Sequence, residues 1–210
     1  MNNFVITIGR EFGSGGMDVA RKLSERLNVK YYDKELLAMA AKESGLCEEI
    51  FENHDEKPTS SFLYSLVMDT YSVSGYASAP FLDMPLNHKV FLAQFDTIKK
   101  LAEKESCIIV GRCADYALAD HPNCISVFIH ADKEFRINHV METFQLTQDK
   151  AKDMIQKTDK KRASYYNYYS SKKWGDSRSY NLSLDSSQLG IDGCVEMILK
   201  YMEEKQKNNK

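Results

Sequence analysis

The sequence predicts an α/β fold built on a parallel sheet with helices on both faces. Short apolar, β-branched runs recur along the chain, and segments of helical period separate them. A glycine-rich turn also joins the first of those runs to the first helix, so the chain opens as a βαβ unit.

Phe4-Val5-Ile6-Thr7-Ile8 ends in glycine and reads as a strand buried on both faces. Gly13 to Gly16 form a tight turn, and from Met17 to Leu27 the residues Val19, Ala20, Leu23 and Leu27 recur at helical spacing. Val29 to Tyr32 reads as the next strand. Asp33 can cap a helix from Lys34 to about Glu43. From about Cys47 the composition shifts to serine, tyrosine and phenylalanine with few charges, so residues 46–86 are expected to form a helical insert facing a substrate. Its aromatic stretch, Phe62 to Phe81, suits either an acceptor base or a contact with a second copy of the chain.

A helix is expected from about His88 to Lys104, then a strand at Cys107 to Val110 that ends in Gly111-Arg112. Another strand follows at Ile125 to Ile129, and then a helix carrying Phe135, Val140 and Met141. Lys150 to Arg162 is basic and helical in pattern, and Tyr165 to Trp174 is aromatic and polar. Tyr180 to Leu184 alternates as a last short strand, and Ile191 to about Met202 closes the chain as a helix.

Composition bounds the function. A chain of 210 residues buries one substantial core, so a single domain over residues 1–210 is expected. The formal charge of −2 gives no general attraction to nucleic acid or anionic membrane, so any phosphate must be held by local charge. The five scattered cysteines form no C-x-x-C pair and read as reduced, buried thiols. The five histidines have no metal-ligand spacing, and no G-x-S-x-G elbow supports a serine hydrolase. The first apolar run is too short for a signal peptide, and no apolar run is long enough to span a membrane. The expected compartment is the cytoplasm.

Gly13-Ser14-Gly15-Gly16 stands where a phosphate cradle would need it, since backbone N–H groups converge on an anion only where no side chain blocks them. The same glycines would also serve a plain reversal of the chain. Distributed motifs add to this. Ile6 to Gly16, Tyr31 to Leu37, Ile108-Ile109-Val110-Gly111-Arg112, Val127 to Ala131, Asp159 to Tyr166, Trp174-Gly175-Asp176 and Tyr180 to Leu189 resemble, in order, the cytidylate kinase-like family. The resemblance implies a P-loop NTPase-type parallel sheet with an insert and a basic lid over residues 150–178. It also implies transfer of the γ-phosphoryl group of ATP, with Mg²⁺, to a small phosphorylated acceptor such as CMP.

The loop departs from the pattern G-x-x-x-x-G-K-[ST]. Gly16 takes the place of the lysine, and Met17 stands near the place of the hydroxyl residue that helps hold Mg²⁺. Either another cation substitutes, or the protein is a catalytically impaired nucleotide or phosphate sensor. Arg10 is the first candidate for that cation, ahead of Lys22.

The resemblance implies that Arg112 grips the acceptor's phosphate, a task suited to a planar fork. The alternative is a surface arginine paired with Asp115 or Asp120. Asp33 faces the same edge and could meet a nucleoside, help position Mg²⁺ through water, or only cap its helix. Of the basic run Lys157, Lys160, Lys161 and Arg162, the resemblance implies that Lys161 and Arg162 supply lid charge. Tyr165, Tyr166, Tyr168, Tyr169 and Trp174 read as partly buried packing. Gly13, Ser14, Gly15, Gly16 and Met17 are the expected donor loop, with Asp33 and Arg112 on the acceptor side.

Overall fold

The computed structural model describes residues 3–45, 49–50, 55–56 and 84–208. Its elements in chain order are β1 (Val5–Arg10), α1 (Gly16–Leu27), β2 (Lys30–Tyr32), α2 (Glu35–Ser44), α3 (Leu86–Lys104), β3 (Cys107–Val110) and α4 (Ala114–Ala117). They continue with β4 (Cys124–His130), α5 (Lys133–Phe144), α6 (Gln148–Ser170), a 3₁₀ turn (Ser177–Ser179), β5 (Leu182–Asp185) and α7 (Ser186–Asn208). Most of the expected insert over residues 46–86, including the aromatic stretch, lies outside the described residues.

All strand pairs are parallel, in the order β2-β3-β1-β4-β5. β1 therefore lies in the middle, with Ile8 opposite Val110 on one side and Arg10 opposite Ile129 on the other. Its residues alternate between two cores. Ile6 and Ile8 join Ile108, Val110, Val127 and Ile129 under Val19 and Leu23 of α1 and Ile198 of α7. Val5, Cys107 and Ile109 face the other way, against Leu36 of α2, Ile98 and Leu101 of α3, and Ala114 of α4. A strand sealed on both faces must be apolar on both, which is why β1 and β3 read as continuous runs.

Three differences from the sequence reading have simple causes. α6 runs through the aromatic segment to Ser170, because Tyr165, Tyr166 and Tyr169 recur at helical spacing and bury against Phe91. α7 begins at Ser186 with a break at Gly190, whose φ of 66° only glycine adopts freely. Asp33 does not cap α2: no side-chain cap bond forms there, and its carboxylate turns elsewhere. Asp176 caps the 3₁₀ turn, accepting from the Arg178 N–H at 3.0 Å.

Candidate active site

α1 leaves β1 toward one face of the sheet, and α4 leaves β3 toward the other. The carboxyl ends of β1 and β3 thus open a crevice, the place where open parallel sheets bind ligands. Arg10 ends β1 on one wall. Gly111, Arg112 and Cys113 follow β3 on the other, all in left-handed conformation at φ 78°, 52° and 54°. Holding two residues with side chains there costs about 1–2 kcal/mol each, and such strain gathers where a side chain must be aimed.

The aim is inward. Arg112 is almost fully buried, and its Nη1 donates to Asp33 Oδ1 at 2.8 Å and to the Val110 carbonyl at 3.2 Å. Its Nε and Nη2 straddle the two oxygens of Asp55 at 3.2 and 3.0 Å. The alternative of a surface arginine paired with Asp115 or Asp120 is therefore corrected. Asp115 instead accepts from the Tyr166 hydroxyl at 2.6 Å.

The glycine loop explains its own departure from the phosphate-loop pattern. Aligned on Gly15, the pattern's first glycine falls at Arg10 and its lysine at Gly16, so glycine and cation have exchanged places. The two positions share one space. A Cβ at Gly16 would lie 2.6 Å from Arg10 Cβ and 3.1 Å from Arg10 Cγ, so the arginine stem fills the space a side chain at 16 would need. The guanidinium then runs across the crevice to 3.5 Å from Glu56 and 3.9 Å from Asp33. A Cβ at Gly111 would collide with its Nη1.

The other loop residues have structural partners. A Cβ on Gly13 would lie 2.8 Å from the Arg136 carbonyl, and one on Gly15 would collide with Ile191. The buried Ser14 hydroxyl sits 2.9 Å from the Glu11 carbonyl and 3.1 Å from that of Ile129. Met17 is exposed and holds no polar atom to the loop. The N–H groups of Gly16, Met17 and Asp18 form the first turn of α1, where a helix leaves its amides without intrahelical acceptors and carries partial positive charge.

α6 lies over this loop. Asp159 accepts from the Phe12 N–H at 2.8 Å and pairs with Arg136, which donates to the Phe12 carbonyl at 2.9 Å and meets Glu11 at 3.1 Å. Of the basic run, Arg162 turns into the crevice. Its Nη1 donates to the Arg10 carbonyl at 3.3 Å, and its Nε stands 3.6 Å from Glu56. Lys157 is exposed and pairs with Asp153, Lys160 is exposed, and Lys161 is exposed but close enough to act on the charges of Asp55 and Glu56. Lys22 points away, to Asp192.

Glu11, Asp55, Glu56 and Arg136 are the site residues that the sequence reading missed. Arg136 and Asp159 lie 23 residues apart on different helices, and no spacing rule joins them. Burial pushes the Glu56 carboxyl up, but Arg10, Arg162 and Arg112 outweigh it and hold its pKa below the ordinary value. Burial leaves Asp55 above the ordinary value despite Arg112. Arg112 is raised, its three carboxylate neighbours overcoming burial, whereas burial and the adjacent Arg10 lower Arg162 to about 10. The crevice is nearly full: the cavity bounded by Arg10, Glu56, Arg112, Asp115, Tyr166 and Trp174 measures about 20 Å³, room for about one water. A wider recess of about 460 Å³ opens between α5 and α6, beside Lys133, Arg136 and Lys152.

A five-stranded parallel sheet with a glycine loop leading into α1 is a P-loop, kinase-like fold. The solved structures agree on the fold. The chain is similar to an uncharacterized protein from Eubacterium ventriosum ATCC 27560, with 35% identity, 96% of this chain and 99% of the other covered, and a TM-score of 0.72. Shikimate kinase from Bacteroides thetaiotaomicron matches at 13% identity, over 95% of this chain and 98% of its own, with a TM-score of 0.50. A gluconokinase from Sinorhizobium meliloti 1021 matches at 12% identity, over 99% and 95%, with a TM-score of 0.52. A search of curated proteins returns no match. The sequence profile of the cytidylate kinase-like family matches residues 5–188, and the chain belongs to that family.

Proposed function

We propose that this protein moves the γ-phosphoryl group of ATP, carried with Mg²⁺, to a small phosphorylated acceptor of the nucleoside monophosphate class, CMP foremost. The observation that supports it best is the Arg10–Gly16 pairing: the loop has glycine where the pattern has lysine, and the stem of a nearby cation, Arg10, fills the space beside it. In this reading the amides of Gly15 to Asp18 hold the donor phosphates, and Arg10 carries compensating charge. Arg112 takes the acceptor phosphate with its fork, and Arg162 with Lys161 adds charge from α6. Phosphoryl transfer is mainly positioning and electrostatics, and an acceptor that is already an anion needs no general base.

Among the described residues, no three His, Cys, Asp or Glu side chains gather as a metal site. Mg²⁺ would therefore arrive on the donor phosphates, as it commonly does, with Asp33 the nearest carboxylate to Arg10 on the crevice wall apart from Glu56. Bound there, the ion would neutralise charge between donor phosphates. The cytoplasm, with its ATP supply, is the compartment this activity suits.

The test is a coupled assay with ATP, Mg²⁺ and a panel of nucleoside monophosphates, alongside calorimetric titration of ATP. Turnover on one acceptor supports the reading and names the substrate. ATP binding with no turnover on any acceptor replaces it with a phosphate sensor of the same fold. Binding of neither overturns the phosphate loop itself.

A further inference from the structure

The crevice already holds anions, and they belong to the chain. Three guanidiniums, from Arg10, Arg112 and Arg162, face three carboxylates, from Asp33, Asp55 and Glu56. Asp55 receives Arg112 through two parallel N–H···O contacts, the geometry in which that side chain also receives phosphate. Glu56 differs. It lies between Arg10 at 3.5 Å and Arg162 at 3.6 Å, within ion-pair range of both, and Arg162 Nε has no hydrogen-bond partner among the described residues. Its backbone is also held left-handed, at φ 50°, where a residue with a side chain is strained. A carboxylate is planar and bears one charge, so it spans two separated arginines less well than a tetrahedral dianion does.

We infer that Asp55 and Glu56 act as an internal stand-in for the ligand's phosphate, occupying the arginines until a phosphate dianion displaces them. The inference rests on the proposed role of those arginines as phosphate ligands. Charge and space both require displacement. With all three carboxylates in place a dianion would enter a buried site already neutral, and the remaining cavity of about 20 Å³ admits no phosphate. Asp33 stays, since it follows β2 and leads into α2, inside the packed frame. The stand-in sets a threshold: only an anion that meets all three arginines better than two tethered carboxylates takes the site.

The experiment titrates the full chain with inorganic phosphate by calorimetry at constant ionic strength, in the wild type, Asp55→Asn and Glu56→Gln. Trp174 fluorescence serves as a second readout, because this tryptophan lines the same cavity. Each amide keeps the shape and removes the competing charge, so phosphate should bind at least tenfold more tightly in each variant. Adding Arg112→Ala should abolish the gain. Affinity that is unchanged or weaker in both variants overturns the inference. Should a variant prove too unstable to titrate, melting decides: phosphate must raise its Tm by more than it raises that of the wild type, and an equal or smaller rise overturns the inference. Tighter phosphate with no phosphoryl transfer from ATP would leave the stand-in and remove the kinase reading. Transfer with unchanged phosphate affinity would do the reverse.

Discussion

Placing alanine at position 16 tests the exchange between Arg10 and Gly16. The new Cβ would lie 2.6 Å from Arg10 Cβ, whereas carbon atoms pack at about 3.5–4.0 Å, an overlap of about 0.9 Å or more. Neither atom can retreat cheaply. Arg10 Cβ is fixed to a strand laddered to β4, and position 16 is the first residue of α1. Overpacking of this kind costs about 1–3 kcal/mol, offset by up to ~1 kcal/mol because alanine favours a helix over glycine. The expected net loss is about 1–2 kcal/mol, or about 2–8 °C in Tm for a chain of this size. A double-mutant cycle isolates the contact. Combined with Arg10→Gly, Gly16→Ala should lose its penalty, a coupling of about 1–3 kcal/mol by urea denaturation. Combined with Arg10→Ala it should keep the penalty, since the colliding Cβ remains. Additivity within about 0.5 kcal/mol in the glycine cycle would refute the reasoning. By the same argument Gly16→Lys alone cannot restore a lysine cradle; it needs Arg10→Gly beside it.

Other outcomes follow from the same geometry. Arg112→Lys keeps the charge but loses the fork that meets Asp55 and Asp33, so the acceptor's KM should rise at least tenfold; an unchanged KM would remove Arg112 from its role. Asp159→Ala leaves the Phe12 N–H and Arg136 without their shared partner and should cost about 2–3 kcal/mol, or about 4–12 °C in Tm. Asp159→Asn, which can still accept from Phe12, should recover part of that, and equal losses would contradict the assignment. Burial pushes the thiols of Cys107 to about 12 and of Cys124 and Cys194 to about 11. The unfolded chain therefore releases these protons first. Their contribution is complete below about pH 8.5, the ordinary thiol value, and is lost as pH rises through the folded values. The urea midpoint should fall between pH 8.5 and 11, less steeply in Cys107→Ala; a flat midpoint would contradict the burial.

The fold was legible because both faces of the sheet are covered. Sealed strands such as β1 and β3 must present apolar residues to both faces, and Gly111 directly after β3 marks the turn at the crevice. Arg10 and Arg112 were visible for the same reason, as charges placed directly at the ends of apolar strands. Their partners were not. Asp55 and Glu56 fall in a stretch where only a change of composition shows, and nothing local ties Asp55 to Arg112, 57 positions away, or Glu56 to Arg10 and Arg162. Asp33 stayed open among its alternatives because capping is a local explanation sufficient by itself, whereas its ion pair is formed across the crevice. The basic run on α6 carried too much signal: period and charge cannot tell which cation faces inward, and the burial of Arg162 is decided by the packing of Tyr165 and Tyr166 one turn later.

The measurement that bears most directly on the account is the rate of phosphoryl transfer from ATP to the preferred acceptor in the wild type and in Arg10→Met. Methionine keeps an unbranched stem against Gly16 and removes the charge. If Arg10 does the work of the absent lysine, kcat should fall by about 10²-fold or more with ATP still bound, the loss expected for one preorganised donor at a transferring group. Equal rates in the two proteins, or no transfer in the wild type, would contradict the account.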